Sequence, residues 1–245
     1  MNIKKWEVAP LNKERAAQIA ERYSLPFFLS MLLEIRGFHQ EEEIRGLLES
    51  GQLSDPFLMK DMDKAVERIR QAIENFEKIA VYGDYDADGV TATSILYTYL
   101  DAVGADVIYY IPQREGEGYG MNLHAVEFLH GEGVGLIITV DNGIASVQEV
   151  ERAKELGMDV VVTDQERIPN ACAVVDAYQA DDHCPYKDLS GAGVALKLVM
   201  ALEGDQEGVL EEYADLASLG TVADVVPVLG ENRAIVRTGL SILAR

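Results

Sequence analysis

Hydrophobic residues follow two patterns along the chain, and the change falls near residue 78. Before that point they recur every three or four positions, which predicts amphipathic helices. After it, short runs rich in β-branched residues alternate with helical segments of ten to fifteen residues, which is typical of βαβ units. The runs are Ile79–Tyr82, Val107–Ile111, Leu136–Val140 and Val160–Thr163, with Ala173–Val175 as a candidate short fifth strand.

This alternation predicts an α/β fold in which a parallel, Rossmann-like sheet has helices on both faces. The predicted domains are an N-terminal helical region over residues 1–77 and an α/β domain over residues 78–245. Helical patterns return after residue 190, and the chain stops inside a predicted helix that begins after Gly230. We therefore expect these residues to be part of a longer protein.

Composition and charge narrow the class of protein. Acidic residues number 42 against 21 basic ones, which gives a net charge of −21. Proteins that grip nucleic acid over a broad surface are normally basic, so nucleic-acid binding here would need metal ions or a local basic patch. No apolar run approaches the ~20 residues that span a bilayer, and the N-terminus lacks the apolar core of a secretory signal. The chain has only two cysteines, and their spacing is not C-x-x-C, so nothing suggests a disulfide framework or a thiolate zinc site. We therefore expect a cytoplasmic protein without a membrane partner.

Aspartates follow three of the predicted strands. Asp84 and Asp86 come after the first strand, Asp141 after the third and Asp164 after the fourth, while Asp224 lies in a later loop. Ligands of open α/β sheets bind beyond the carboxyl ends of the strands. A single loop aspartate usually caps a helix, but several at one sheet edge repel one another unless a cation compensates them. Because oxygen-only clusters select hard ions, we expect Mn²⁺ or Mg²⁺ at this edge.

Two other classes of loop begin like Asp84–Gly89. An EF-hand also reads D-x-D-x-D-G, but its twelfth position must be a bidentate glutamate and here it is Ile95. The segment Asp86–Val90 also resembles the nucleophile loop of haloacid-dehalogenase-type phosphatases. The residues after the fourth strand match the acidic pair of those enzymes poorly, so this class is kept as a minor alternative.

Five blocks, taken together and in order, resemble one family. They are VYGDYDADGVTAT at 81–93, YIPQREGEGYGMN at 110–122, LIITVDNGIAS at 136–146, CPYKDLSGAGVALKL at 184–198 and LGTVADVVPVLGENR at 219–233. The chain resembles the DHH phosphoesterase superfamily, and within it the RecJ-type single-strand-specific exonucleases. The resemblance implies cleavage of phosphodiester bonds in single-stranded DNA or short nucleotides. It also implies a second, nucleic-acid-gripping domain beyond residue 245.

The resemblance assigns metal ligands by position. It implies a two-metal Mn²⁺ or Mg²⁺ site in which Asp84 and Asp86 each hold one ion and Asp141 bridges the two. Asp224 would complete the shell of the second ion. Asp88 would turn the loop or act behind these ligands.

The sequence departs from the family after the fourth strand. The family has Asp-His-His there, and this chain has Asp164, Gln165 and Glu166. Asp164 is retained and is expected behind the metal ligands. Gln165 stands where a histidine would bind the second metal, and an uncharged amide is a poorer ligand than imidazole. Glu166 stands where a histidine would face the substrate phosphate, which its negative charge would repel.

Two functions follow. The first is a metal-dependent phosphoesterase with reduced activity and a weakened second metal site. The second is a catalytically inactive relative that serves as a nucleic-acid or protein-binding module. The retained aspartates favour the first, and the changed Asp164–Glu166 segment favours the second. Expected partners are single-stranded nucleic acid or a small nucleotide, and repair or replication proteins.

Two softer features concern substrate phosphate. Arg114 lies between the second strand and Gly118–Gly120, where it could approach a phosphate or be an ordinary exposed arginine. Ser190-Gly191-Ala192-Gly193 opens a helix, and such a turn can present backbone N–H groups to phosphate. Gly191 and Gly193 would equally allow close packing of helix and sheet, and both explanations stay open here.

Overall fold

The computed structural model describes residues 7–48, 51–143, 145–164, 171–179 and 181–245. The chain divides into two compact units, residues 1–50 and residues 51–245. The predicted domain boundary at residues 77/78 stays a prediction. Helix α4 (Met62–Glu74), which the sequence pattern groups with the N-terminal helices, packs in the second unit against the sheet.

The first unit contains the helices α1 (Lys13–Tyr23), α2 (Phe27–Ile35) and α3 (Glu41–Leu48). Asn12 caps α1, because its side-chain oxygen accepts a hydrogen bond from the Arg15 N–H at 3.0 Å. The three helices share a small core of Ile19, Leu33 and Ile44.

The second unit begins with a short 3₁₀ turn at Pro56–Leu58, followed by α4. Its strands are β1 (Lys78–Tyr82), β2 (Val107–Tyr110), β3 (Val134–Val140), β4 (Asp159–Thr163) and β5 (Ala173–Val175). Its remaining helices are α5 (Ala87–Ala102), α6 (Leu123–Gly131), α7 (Val147–Glu155), α8 (Gly191–Glu203), α9 (Gln206–Ala223) and α10 (Gly230–Leu243).

The five strands form one parallel sheet in the order β2-β1-β3-β4-β5. The predicted parallel α/β fold, including the short fifth strand, is confirmed. The chain runs from β1 outward to β2 and then from β3 in the opposite direction to β5. The reversal therefore lies between β1 and β3, and ligands of such sheets bind in the crevice beyond the carboxyl ends at this point. Tyr82 at the end of β1 pairs with Thr139 of β3, so the loops after both strands emerge side by side.

Alternating residues of each strand face two separate cores. Ile79, Val81 and Ile138 point to the core that contains α4, α5, α8 and α9. Ala80 and Ile137 point to the core beneath α6 and α7. This arrangement explains the continuous apolar runs of the strands and confirms helices on both faces. Of the helices described, none combines the length and the apolar character that crossing a membrane requires.

A buried ion pair joins α8 to α10. Lys197 has no exposed surface, and its Nζ donates to Glu231 Oε2 at 2.8 Å, to the Ser54 carbonyl at 2.5 Å and to Ser54 Oγ at 3.0 Å. Ser54 Oγ donates in turn to Glu231 Oε1 at 2.6 Å. All three protons of the ammonium group therefore have acceptors, which is the condition under which a buried charge is tolerated.

Lys197→Ala should destabilise the chain by about 3–5 kcal/mol, because Glu231 would remain buried without a counter-charge. Urea unfolding followed by circular dichroism measures this loss. Lys197→Met combined with Glu231→Gln should cost less than Lys197→Ala by itself. An equal or larger loss in the double variant would contradict the assigned role of the charge pair.

Candidate metal centre

Asp84 is a fully buried carboxylate that is separated from the end of β1 by Gly83. Neither of its oxygens accepts a hydrogen bond of normal geometry. Burial raises the pKa of Asp84 above its ordinary value, as does the nearby Asp86, while the N–H groups of Tyr85, Asp86 and Gly120 lie close enough to lower it in part. Since a buried charge without partners is costly, the Asp84 carboxyl group either keeps a proton or is compensated by a cation.

Asp86 forms the N-cap of α5, and its side chain accepts a hydrogen bond from the Gly89 N–H at 2.9 Å. The side chain is otherwise exposed at the rim of the crevice. This aspartate therefore serves the structural role that a loop aspartate usually has and still presents its carboxylate to solvent beside Asp84.

Asp141 follows β3 and lies at the same edge as Asp84. Only 7% of it is exposed, and its backbone has a left-handed φ of 57°. Burial raises the pKa of Asp141 to about 9, with further repulsion from Asp88, Asp86, Asp164 and Asp224. Asparagine and aspartate tolerate this backbone region better than most residues.

Asn142 fastens the two loops together. Its Nδ2 donates to the Tyr82 carbonyl at 3.2 Å and to the Val140 carbonyl at 3.0 Å, so it bridges the ends of β1 and β3. The sequence pattern assigns this residue no role. Its one available signal is its place in an Asp-Asn-Gly segment directly after a strand, which is typical of a turn.

Asp88 connects this edge to the N-terminus of α8. Its Oδ2 accepts from the Gly191 N–H at 2.6 Å and its Oδ1 from the Ala192 N–H at 3.0 Å. Burial raises the pKa of Asp88 to about 6, and the nearby charge of Asp224 adds to the increase, while the two N–H groups oppose it. Asp88 is therefore buried, and its carboxylate compensates the positive end of α8.

The contacts of Asp88 help to decide whether the two glycines at the start of α8 serve phosphate binding or close packing. The Gly191 N–H is occupied by Asp88, and the Gly193 N–H donates to Ser190 Oγ at 3.2 Å. A Cβ atom on Gly191 would overlap the Asp141 side chain, whereas on Gly193 it would lie 3.2 Å from a Leu189 methyl group. The structure thus favours packing over phosphate binding for Gly191.

The remaining predicted residues occupy the rim and the neighbouring strand end. Asp224 is exposed and forms the C-cap of α9, with its N–H donating to the Gly220 carbonyl at 2.9 Å. Asp164 is buried after β4, and its N–H donates to the Val175 carbonyl at 3.2 Å. Gln165 and Glu166 lie outside the described residues.

The donor chemistry of this edge fits a divalent cation. Asp84, Asp141 and Asp164 form a buried floor, and Asp86 and Asp224 form an exposed rim. In the part of the chain that the structure describes, no three His, Cys, Asp or Glu side chains stand close enough to ligate one ion as placed. The carboxylates nevertheless raise the pKa of Asp141 together, and an oxygen-only set with this mutual repulsion is the kind that Mg²⁺ or Mn²⁺ stabilises.

Two exposed side chains belong to the loop between β2 and α6. The Arg114 guanidinium lies over the Tyr85 ring, 5.6 Å from its centroid. The Tyr119 ring is 67% exposed, yet the pKa of its hydroxyl is raised by partial burial and by Asp141, Asp164, Asp84 and Asp86. The pattern of residue types along the chain did not predict that Tyr119 lies near these carboxylates. His124, His130 and His183 are exposed.

The DHH family, N-terminal domain, matches residues 78–221, a span that contains β1 to β5 and most of the acidic edge. The chain belongs to the DHH family. The resemblance predicted from the five sequence blocks is confirmed, and the haloacid-dehalogenase alternative is not supported.

Curated relatives carry one activity in their names. The single-stranded-DNA-specific exonuclease RecJ of Bacillus subtilis (strain 168) is 43% identical over 247 residues, which covers 98% of this chain and 31% of the relative. The protein of the same name from Escherichia coli (strain K12) is 37% identical over 238 residues, which covers 89% of this chain and 40% of the relative. This DHH chain therefore spans less than half the length of these relatives.

Solved structures agree with the fold. An exonuclease RecJ bound to manganese is 41% identical with a TM-score of 0.67, covering 75% of this chain and 48% of that one. RecJ in complex with Mn²⁺ from Thermus thermophilus is 32% identical with a TM-score of 0.74, covering 96% of this chain and 34% of that one.

The metal-free chain should lose stability as the pH rises. Between about pH 4 and about pH 9 the folded chain keeps a proton on Asp141 that the unfolded chain has released, so folding is weakened as pH increases through this range. Asp141→Asn should reduce this slope and raise the melting temperature at pH 8. Mn²⁺ at a hundred times its Kd should stabilise the parent by about 2.7 kcal/mol but the variant by much less.

Thermal melting at pH 5 and pH 8, with and without Mn²⁺, checks both effects. Asp101→Asn is the matched control, because Asp101 is exposed on α5. Equal pH slopes in the parent and in Asp141→Asn would contradict the assigned repulsion at Asp141.

Gly191→Ala should lower Mn²⁺ affinity by about tenfold or more, because the added methyl group must displace Asp141. Gly193→Ala is the matched control on the same helix turn, where the nearest atoms to the methyl group are a Leu189 methyl group at 3.2 Å, the Leu189 Cβ at 3.4 Å and Ser190 Oγ at 3.7 Å. Isothermal titration calorimetry measures both affinities. Equal losses in the two variants would count against the packing role of Gly191.

Proposed function

We propose that this chain carries the metal-dependent phosphodiesterase centre of a single-strand-specific exonuclease, with divalent Mn²⁺ or Mg²⁺ as cofactor. The observation that carries the proposal is Asp84, a buried carboxylate whose two oxygens lack hydrogen-bond partners, placed where the strand order reverses. Relatives over nearly the whole chain are named as exonucleases of single-stranded DNA, which supports this substrate class.

Each aspartate would have its own role in binding the metal ions. Asp84 and Asp86 would each hold one ion, and Asp141 would bind both ions. Asp224 would complete the ligand set of the second ion. Bound divalent ions of this kind activate water and neutralise charge on a phosphoryl group. Asp88 and Asp164 would act from behind these ligands, Asp88 by fixing the position of α8 against the loop.

Arg114 is the proposed contact for a substrate phosphate. Its guanidinium is exposed and lies over the ring of Tyr85. In the sequence, Tyr85 stands between Asp84 and Asp86, two of the proposed ligands. A guanidinium group can bind two phosphate oxygens at once, and it offsets locally the negative charge that would otherwise repel a polyanion. The local cation and the bound metal together would allow an acidic chain to accept nucleic acid.

In this proposal, the segment Gln165–Glu166 lowers the affinity for the second metal ion. An amide in place of imidazole weakens binding of that ion, and a glutamate beside it opposes the substrate phosphate. We therefore expect slow turnover, and the catalytically inactive binding module is the outcome that the experiment must separate from it.

Calorimetric titration with Mn²⁺, followed by hydrolysis assays on 5′-phosphorylated single-stranded DNA and a phosphorylated dinucleotide, tests the proposal. Asp86→Ala should lower hydrolysis by about 100-fold or more, because it removes electrostatic stabilisation of the reacting phosphate. Asp101→Ala, an exposed aspartate on α5, is the matched control and should leave hydrolysis unchanged.

The double variant Gln165→His with Glu166→His should increase turnover. Mn²⁺ binding without hydrolysis in the parent, together with hydrolysis in this variant, would identify the parent as an inactive relative. Absence of Mn²⁺ binding in the parent would overturn the metal centre itself.

A further inference from the structure

The loop of residues 113–120 is closed by one carboxylate. Glu117 Oε1 accepts a hydrogen bond from the Tyr110 hydroxyl at 2.7 Å, and Glu117 Oε2 accepts one from the Gln113 N–H at 2.6 Å. The Glu117 N–H also donates to the Gln113 carbonyl at 3.3 Å. Oε1 of Glu117 therefore ties the loop to the last residue of β2, and Oε2 closes the turn within the loop at Gln113.

The bond between Glu117 and Tyr110 is charge-assisted. Tyr110 lowers the pKa of Glu117, and burial together with Glu117 raises the pKa of Tyr110 to about 12. At neutral pH the acceptor is thus ionised and the donor keeps its proton, which is the stronger class of hydrogen bond. The loop has positive φ angles at Gly116, Gly118 and Gly120, so it needs such a restraint to keep one conformation.

The other end of the loop is tied to the strand that leads to the metal centre. The Tyr82 hydroxyl donates to the Gly120 carbonyl at 3.2 Å. The Tyr82 ring stacks on the Tyr110 ring with centroids 5.1 Å apart. Tyr82 is the last residue of β1, two positions before Asp84, so this aromatic pair connects both ends of the loop to the acidic edge.

We propose that Glu117 is a positioning residue: together with Tyr110 it fixes the loop 113–120 so that Arg114 stays over Tyr85 and receives a phosphate oxygen of the nucleic-acid substrate. The Arg114 guanidinium lies 5.6 Å from the centroid of the ring of Tyr85, the residue between Asp84 and Asp86 in the chain. The inference rests on the proposed function, because a phosphodiester substrate supplies the anion. A loop without this restraint would lose conformational entropy each time it bound the substrate. Because the hydrogen bonds of Glu117 already order the loop in the free protein, this entropic cost of binding is reduced.

Glu117→Gln tests the proposal, since it keeps the size of the side chain and removes the charge. It should weaken binding of a fluorescent 5′-phosphorylated oligothymidylate, measured by anisotropy, by about tenfold. It should raise the KM for hydrolysis by a similar factor, with kcat changed much less. Glu115→Gln is the matched control, because Glu115 is an exposed carboxylate of the same loop.

A double-variant cycle separates positioning from a general structural role. Because Glu117 acts through Arg114, adding Glu117→Gln to Arg114→Ala should cost almost nothing beyond Arg114→Ala itself. Faster hydrogen exchange at the Gln113 amide, measured by NMR, should accompany Glu117→Gln. Should that variant fold poorly, Tyr110→Phe removes the same hydrogen bond and keeps the ring that stacks on Tyr82.

The binding assay does not require turnover, so failure of the proposed hydrolysis leaves this test intact. Weaker binding in Glu117→Gln or Tyr110→Phe that does not add to the loss in Arg114→Ala supports the proposal. Unchanged binding in both variants, or losses that add fully to that of Arg114→Ala, overturns it.

Discussion

The repulsion among buried carboxylates is the constraint on which this edge of the sheet depends. Asp84 and Asp141 are removed from water by the same fold that brings their strands together, and burial raises the pKa of both because it disfavours their ionised forms. Asn142 fastens the two strand ends, and Gly191 leaves room for the Asp141 side chain. The covalent chain and its neutral hydrogen bonds thus maintain an arrangement that its charges by themselves oppose.

The carboxylates of this edge do not all need the same compensation. Asp88 is buried, but two backbone N–H groups at the start of α8 satisfy its oxygens. Asp84 is equally buried and has no such partners. The demand for an external cation is therefore concentrated at Asp84 and its neighbour Asp141, while Asp88 supports them through packing and helix orientation. This difference shows that Asp84 and Asp88, within one short loop, have different surroundings.

Strand and helix positions followed from the sequence because periodicity and β-branched runs report local burial directly. The gathering of Asp84 and Asp141 was also predictable, since parallel strands end at one edge. The contact of Asp88 with Gly191 spans 103 residues, and the closure of a loop by Glu117 depends on a tyrosine from the preceding strand. Such contacts need side-chain directions that no pattern of residue types specifies. Asp224 illustrates the same limit, because the pattern placed it in a loop and the structure makes it the cap of α9.

The buried Lys197 has a consequence for the shortest segment that can fold. The family match covers residues 78–221, yet both groups that receive the Lys197 protons, Ser54 and Glu231, lie outside it. A segment cut at the limits of the match would retain the Lys197 ammonium group inside α8 with neither acceptor, and it would lack α10. The unit that can fold by itself is therefore wider than the segment that the family match covers, and the acceptors of Lys197, Ser54 and Glu231, set its minimum extent at the two ends.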